Sequence, residues 1–176
     1  METNEILMIG DSLIEYGDWE NLLNRKINNR GIGGDTTYGV SCRIRRNLKR
    51  HPEKIILMVG ANDIISGETV ETIAKQYEVI LKLMRTEIPN SEIIIHKVLP
   101  CNPEKLFFVF DNNQAIALNT EIIKLGKKYN TICVDLWEDL TEKSELIKKY
   151  TLDGVHLTKE AYLIWAERLK TVLDYL

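Results

Sequence analysis

The chain has 176 residues, 44% hydrophobic and 28% charged, with a formal net charge of -3. That length suits one domain with a single core, and the mildly acidic balance gives no general attraction to nucleic acid or to an anionic membrane. The three cysteines, Cys42, Cys101 and Cys133, are odd in number and widely spaced, which argues against a disulfide framework and against a zinc site.

Reduced thiols in the cytoplasm are the expected state. The opening Met1-Glu2-Thr3-Asn4-Glu5 is acidic where a secretory leader is basic. The apolar run behind it stops at Gly10-Asp11, too soon for a membrane span.

The first expected strand is the apolar run Ile6 to Ile9. A weaker strand is expected around Lys26 to Arg30, leading into Gly31. Basic residues then gather at Arg43, Arg45, Arg46, Lys49 and Arg50 and read as a solvated helix face. Ile55 to Val59 is the next buried strand. Val70, Ile73, Ala74, Tyr77, Ile80, Leu81 and Met84 are spaced three and four apart, which predicts a helix that Pro89 stops. Ile93 to Val98 and Thr131 to Val134 are further strands, with a helix between them from about Asn113 to Tyr129. Ala161, Ile164, Trp165, Leu169, Val172, Leu173 and Leu176 form the stripe of a last helix. Continuous β-branched runs suit strands buried on both faces. Their alternation with helices predicts one α/β domain with a parallel sheet and helices on both sides. In such sheets, sites form at the carboxyl ends of strands.

Four polar clusters fall there. They are Gly10-Asp11-Ser12-Leu13, Gly31-Ile32-Gly33-Gly34-Asp35-Thr36-Thr37, Gly60-Ala61-Asn62-Asp63 and, before the last helix, Asp153-Gly154-Val155-His156. Each alone has a plain structural explanation as a turn or a helix cap. Together they supply the parts of acyl transfer: a hydroxyl nucleophile, an imidazole base, a carboxylate to orient it, and donors for an oxyanion. Asp153 and His156 are three apart, a spacing that puts both on one side of a helical turn. Gly34 can bring its N–H close to a substrate oxygen, Asn62 offers a side-chain amide, and Ser12 opening a helix adds its own N–H.

These four blocks, in this order, resemble the signature blocks of the SGNH (GDSL) hydrolases. The glycine string particularly resembles the branch of platelet-activating-factor acetylhydrolase catalytic subunits and small bacterial acylhydrolases. The resemblance implies a flavodoxin-like three-layer α/β/α sandwich with a five-stranded parallel sheet. It implies Ser12 as nucleophile, His156 as base and then acid, and Asp153 as its orienting carboxylate. It implies an oxyanion hole of the Ser12 and Gly34 amides with the Asn62 side chain, and it requires neither metal nor organic cofactor. Ile14 stands where the α/β-hydrolase elbow has its second glycine, so the segment is not that elbow.

The substrate class is open among acetylated sugar, lysophospholipid, thioester and other small esters. A compact chain with no long insertion favours short acyl groups. Asp11, Leu13, Leu99, Phe107, Phe108 and Val155 are the expected substrate contacts. Leu99-Pro100-Cys101-Asn102 resembles a Leu-Pro-x-Asn segment of small bacterial GDSL acylhydrolases, many of them carbohydrate deacetylases. The apolar run Leu106 to Phe110 reads either as an acyl-pocket wall or as a core-packed connection or contact in a homodimer.

Two rival readings stand beside this one. A flavodoxin-like nucleotide or flavin binder would hold an anion at the Ser12 turn. It fails the dinucleotide fingerprint, since Thr36 stands where the third glycine is required, and it leaves Asp153 and His156 without a task. A catalytically dead member of the family that only binds a glycan or partner is disfavoured by the intact triad.

Overall fold

The computed structural model describes residues 3–175. Met1 and Glu2 of the acidic opening, and Leu176 of the last helical stripe, lie outside the described residues. The first strand is β1 (Thr3–Gly10), followed by the short helices α1 (Ser12–Glu15) and α2 (Trp19–Leu23), β2 (Ile27–Gly31) and α3 (Thr37–Leu48). Then come β3 (Pro52–Met58), α4 (Ala61–Ile65), α5 (Val70–Glu87) and β4 (Glu92–His96). The chain ends with α6 (Asn112–Lys128), β5 (Ile132–Val134), α7 (Trp137–Leu140) and α8 (Lys159–Tyr175), with a two-stranded hairpin between the last two helices.

All five strands pair in parallel in the order β2-β1-β3-β4-β5. Successive side chains of a strand face opposite ways, so the unbroken apolar runs need cover on both faces. They have it. Ile6, Met8, Ile56, Met58 and Ile94 pack with Trp19 of α2 and with Trp165 and Leu169 of α8. Leu7, Ile9, Ile55, Leu57, Ile93 and Ile95 pack with Ile44 of α3, Tyr77 and Ile80 of α5, and Leu118 of α6. The result is the expected α/β/α sandwich. Edge strand β2 is the exception: of its five residues only Ile27 is buried, which explains its weak sequence signal.

The chain leaves β1 toward β2 on one side and returns to β3 on the other. The carboxyl ends of β1 and β3 therefore flank the point where strand order reverses, the usual place for a site in such sheets.

One boundary differs from expectation for an identifiable reason. The run Ile93 to Val98 ends as a strand at His96, because the Asn119 side chain of α6 takes over the Val98 backbone. It accepts from the Val98 N–H at 2.7 Å and donates to its carbonyl at 2.9 Å. The run Leu106 to Phe110 is neither strand nor packed connection along its middle. Phe107 is 99% exposed and Val109 92%, while only Phe110 packs against the core.

His96, at the end of β4, is fully buried with its ring 5.1 Å from that of Trp165, whose indole N–H donates to His96 Nε2 at 3.3 Å. Burial lowers its pKa to about 3. The imidazole is thus neutral when folded but takes a proton near ~6.5 when unfolded. Its contribution is fully present above that value and is lost as pH falls from there toward 3. A glutamine keeps an acceptor for the indole and cannot titrate. We expect the melting-temperature gap between wild type and His96→Gln, measured by circular dichroism, to narrow steadily between pH 7 and pH 4.5. A gap that stays constant rules out this titration.

Candidate active site

Ser12 is the first residue of α1, held there by local bonds. The Asp11 side chain accepts from the Leu13 N–H at 3.0 Å, and the Asp11 carbonyl accepts from Ile14 and Glu15 at 3.1 and 3.0 Å. A carboxyl of the chain itself thus caps the helix end where an anion-binding reading would seat a phosphate. Asp11 is only 3% exposed. Burial pushes its carboxyl up to about 7, against the Leu13 N–H and His156, which lower it, and with Asp35 and Asp63, which raise it further.

His156 comes from 144 residues along the chain, and its Nε2 lies 3.0 Å from Ser12 Oγ. Its Nδ1 lies 2.6 Å from Asp153 Oδ2. An ionised carboxylate only accepts, so Nδ1 carries the proton and Nε2 presents a lone pair to the serine hydroxyl. The tautomer is the one general-base chemistry needs. Asp153 Oδ1 also accepts from the Val155 and His156 N–H groups at 3.0 and 2.8 Å. Burial raises the Asp153 pKa, but the ring and these two backbone donors outweigh it, and the carboxyl titrates below its usual range.

The spacing of Asp153 and His156 had suggested a helical turn, and the structure corrects this. The segment is a bent loop closed by a bridge between Thr151 and Leu157. Gly154 takes φ +100, and the Asp153 side chain folds back over the following amides. A carboxylate that bonds its own backbone two and three residues on makes a turn without a helix. The loop is clamped from the segment after β4. The Asn102 N–H donates to the Gly154 carbonyl at 2.8 Å, and the Asn102 side chain donates to the Leu146 carbonyl at 2.7 Å. Lys105 Nζ donates to the Thr151 carbonyl at 2.5 Å.

The side expected to hold an oxyanion is built from the glycine turn and α4. Residues 32–35 form a tight turn, with the Asp35 N–H on the Ile32 carbonyl at 3.1 Å and Gly34 at φ +77. Such a turn requires the left-handed region at its third residue. A Cβ on Gly34 would meet nothing within 4 Å, so this flank of the site is bare backbone. The Gly33 N–H donates to Glu15 Oε2 at 2.7 Å. Asn62, on α4, donates through Nδ2 to the Asp35 carbonyl at 3.0 Å. An amide has two such protons, and the second makes no bond within the described residues. Next to it, buried Asp63 accepts from the Thr37 N–H at 3.0 Å and from its hydroxyl at 2.5 Å, joining α4 to the start of α3. Burial raises the Asp63 pKa, with the Thr37 bonds opposing it.

A cleft of about 410 Å³ opens over these groups, lined by Ser12, Tyr16, Gly33, Gly34, Asn62, Ile65, Phe107, Phe108, Asp153, Val155 and His156. The expected triad residues and the three oxyanion candidates therefore line one cleft, as do the expected contacts Phe107, Phe108 and Val155. Three expected contacts do not reach it. Asp11 is the buried cap of α1. Leu13 and Leu99 are 4% and 5% exposed and belong to the core beneath, because the apolar side chains at those positions face α8.

Tyr16 and Ile65 were missed. Tyr16 follows Ser12 by four residues and Ile65 follows Asn62 by three, the spacings that share a helix face, so a signal was present. The Tyr16 ring lies 5.3 Å from that of His156. Arg43 was misread: Arg45, Arg46, Lys49 and Arg50 are solvated, but Arg43 turns inward and pairs with Asp35 at 2.7 Å.

Gly154 carries a prediction. A Cβ there would sit 2.8 Å from the Asn102 carbonyl oxygen and 2.9 Å from Leu106, at a φ that side chains avoid. Such strain costs about 1–3 kcal/mol. We expect Gly154→Ala to lower thermal stability by that order and, by displacing His156, to slow turnover of p-nitrophenyl acetate more than it changes KM. A variant with wild-type stability and kcat would show the loop to be adaptable.

Comparison with known proteins fits this geometry. The family model described as GDSL-like Lipase/Acylhydrolase matches residues 8–164. The platelet-activating factor acetylhydrolase IB subunit alpha2 of Gallus gallus is 33% identical over 105 residues, a match that takes in 54% of this chain. The chain spans 44% of the length of that curated relative. A solved Streptococcus pneumonia structure described as a platelet activating factor superimposes with a TM-score of 0.86 at 30% identity, over 98% of this chain and 85% of that one. A GDSL-like lipase from Bacteroides thetaiotaomicron shares the fold, with a TM-score of 0.83 at 20% identity, over 98% and 88% of the two chains. With its family match covering both the Ser12 turn and the Asp153–His156 loop, the chain belongs to the GDSL-like lipase/acylhydrolase family.

Proposed function

We propose that the chain is a serine esterase that cleaves short acyl esters through an acyl-enzyme on Ser12. The observation that carries this reading is the unbroken hydrogen-bond chain from Ser12 Oγ through His156 to Asp153 along the cleft. His156 Nε2 takes the Ser12 proton as Oγ attacks the ester carbonyl carbon. The carbonyl oxygen becomes an anion beside the Ser12 and Gly34 amides and the second N–H of Asn62. Asp153 holds the imidazolium, which passes its proton to the departing alkoxide as the ester C–O bond breaks. Water then attacks the acyl-enzyme, giving its proton to His156, and Ser12 recovers that proton as the carboxylic acid leaves.

The walls favour a small acyl group on an uncharged or cationic alcohol. Tyr16, Ile65, Phe107, Phe108 and Val155 supply apolar surface, and among the described residues no lysine or arginine lines the cleft. Asp153 lines it and buried Asp11 lies behind it. A leaving group with several phosphates, as in coenzyme-bound thioesters, would meet carboxylates and no counter-charge. Cleavage of such coenzyme-bound thioesters is thus the lesser reading. The acetylhydrolase name of the curated relatives supports an acetyl substrate.

No helix among the described residues is long and apolar enough to cross a membrane. The three thiols are unpaired, which supports a reducing compartment such as the cytoplasm. Every group in the proposed machinery comes from one chain, so a homodimer is not needed to complete it.

A serine-directed phosphonate is expected to label Ser12 alone, and Ser12→Ala to abolish ester hydrolysis while keeping its circular dichroism spectrum. Labelling elsewhere, or a working alanine variant, overturns the assignment.

The exposed aromatic wall yields a second expectation. One methylene in an apolar pocket is worth about 1–3 kcal/mol of discrimination. Phe107→Ala and Phe108→Ala should therefore shift the kcat/KM ratio between acetate and butyrate esters. An unchanged chain-length profile would remove both side chains from the acyl pocket.

A further inference from the structure

Arg43 lies on α3, outside the cleft, yet its guanidinium reaches two of the turns that form the site. Nε donates to Asp35 Oδ2 at 2.7 Å, and Nη2 donates to the Gly10 carbonyl at 3.1 Å. Gly10 is the last residue of β1, two before Ser12. Its carbonyl also accepts from the Ile32 N–H at 3.0 Å, so both lone pairs are used to fasten the nucleophile strand to the glycine turn. Asp35 closes that turn, and its own carbonyl receives Asn62 Nδ2 at 3.0 Å. The guanidinium is therefore bonded to the segments that carry Ser12 and Gly34, and through Asp35 to Asn62.

The charges around it explain why a cation is needed at this point. Asp35 and Asp63 both lie near enough to buried Asp11 to raise its pKa. Asp63 is satisfied by Thr37 and Asp11 by the Leu13 N–H. Asp35 has the Thr36 N–H at 3.0 Å and Arg43. Arg43 is 22% exposed in its side chain and Asp35 11%, so the pair is sheltered and held in a fixed geometry. Arginine suits this task because its planar fork bonds two oxygens in set directions, where an ammonium is a single point charge.

We propose that Arg43 is a positioning residue that sets the distance of the Gly34 and Asn62 donors from Ser12, and so governs turnover rather than substrate affinity. Oxyanion donors act only when they are aimed at the oxygen's position in the transition state. A slackened turn leaves the ground-state cleft open but loses that aim. The proposal rests on the reading of the chain as a Ser12 esterase.

The test compares wild type, Arg43→Met, Arg43→Lys, Asn62→Ala and the double variant Arg43→Met/Asn62→Ala on p-nitrophenyl acetate, with near-ultraviolet circular dichroism to confirm folding. Losing one oxyanion donor costs roughly 10²–10³ in kcat, so misplacing one is expected to cost about 10–100-fold, with KM changed by less than about 3-fold. Arg43→Lys should recover only part of the loss. In the Asn62→Ala background the Arg43→Met loss should be smaller than in wild type, because only the Gly34 donor is then left for Arg43 to place and residues that act through one another are not additive.

A folded Arg43→Met with wild-type kcat overturns the proposal. So does a loss confined to KM, or one that multiplies fully with that of Asn62→Ala. Should Arg43→Met fail to fold, Asp35→Asn replaces it, removing the charge partner and keeping the carbonyl. At least about a 10-fold fall in kcat is then expected, and an unchanged kcat overturns the assignment. Absent turnover in wild type with no phosphonate labelling of Ser12 overturns the esterase reading and this proposal together. Normal wild-type turnover with an indifferent Arg43 overturns this proposal alone.

Discussion

A parallel sheet buried on both faces constrains everything else in this molecule. Each interior strand must be apolar on its two faces and must be reached by a crossover, so its polar residues are driven to its ends. Because all five strands run the same way, the segments that follow β1, β2 and β3 emerge at one edge. There the Ser12 turn, the glycine turn and α4 sit side by side without any further device. The Asp153–His156 loop arrives from the far end of the chain, delivered by packing of α8 against β1 and β3 through Trp165 and Leu169.

The site is then stiffened by groups that need not meet a substrate. Asp11 caps α1, Glu15 holds Gly33, Asp63 holds Thr37, and Asn102 holds Gly154. Several are carboxylates kept close together, which is costly without counter-charge or hydrogen bonds. Arg43 and the local N–H donors offset that cost. Rigidity of this kind suits chemistry in which donors must be in place before the charge develops. The aromatic rim differs: Phe107 and Val109 stand almost free of the body. The same stretch that clamps the His156 loop through Asn102 and Lys105 continues directly into that rim.

Much of this was legible in the residues themselves. Continuous apolar runs, three of them rich in β-branched residues, marked four strands, the spacing of Val70 to Met84 marked α5, and four polar blocks in order marked the residues of the candidate site. These signals are local or periodic, and each needs only a few neighbouring residues to be read. Strand β2 was legible only through the glycines that follow it, since an edge strand half-open to solvent carries little apolar pattern.

Contacts between distant segments were decided by the tertiary structure alone. A spacing of three between Asp153 and His156 fits a helix or a folded-back loop equally well. Gly154 at positive φ, and an Asn102 amide from another strand end, select the loop. Arg43 looks the same in sequence as its solvated neighbours, and only the packing of α3 turns it toward Asp35 and Gly10. Leu13 and Leu99 sit beside polar motif residues, but a side chain's face depends on which helix covers it. Sequence by itself determined the interior strands, the long helices α5, α6 and α8, and the order of the polar blocks between them. The fold decided which side chains meet, because those meetings span up to 149 residues of chain and depend on the packing of whole layers.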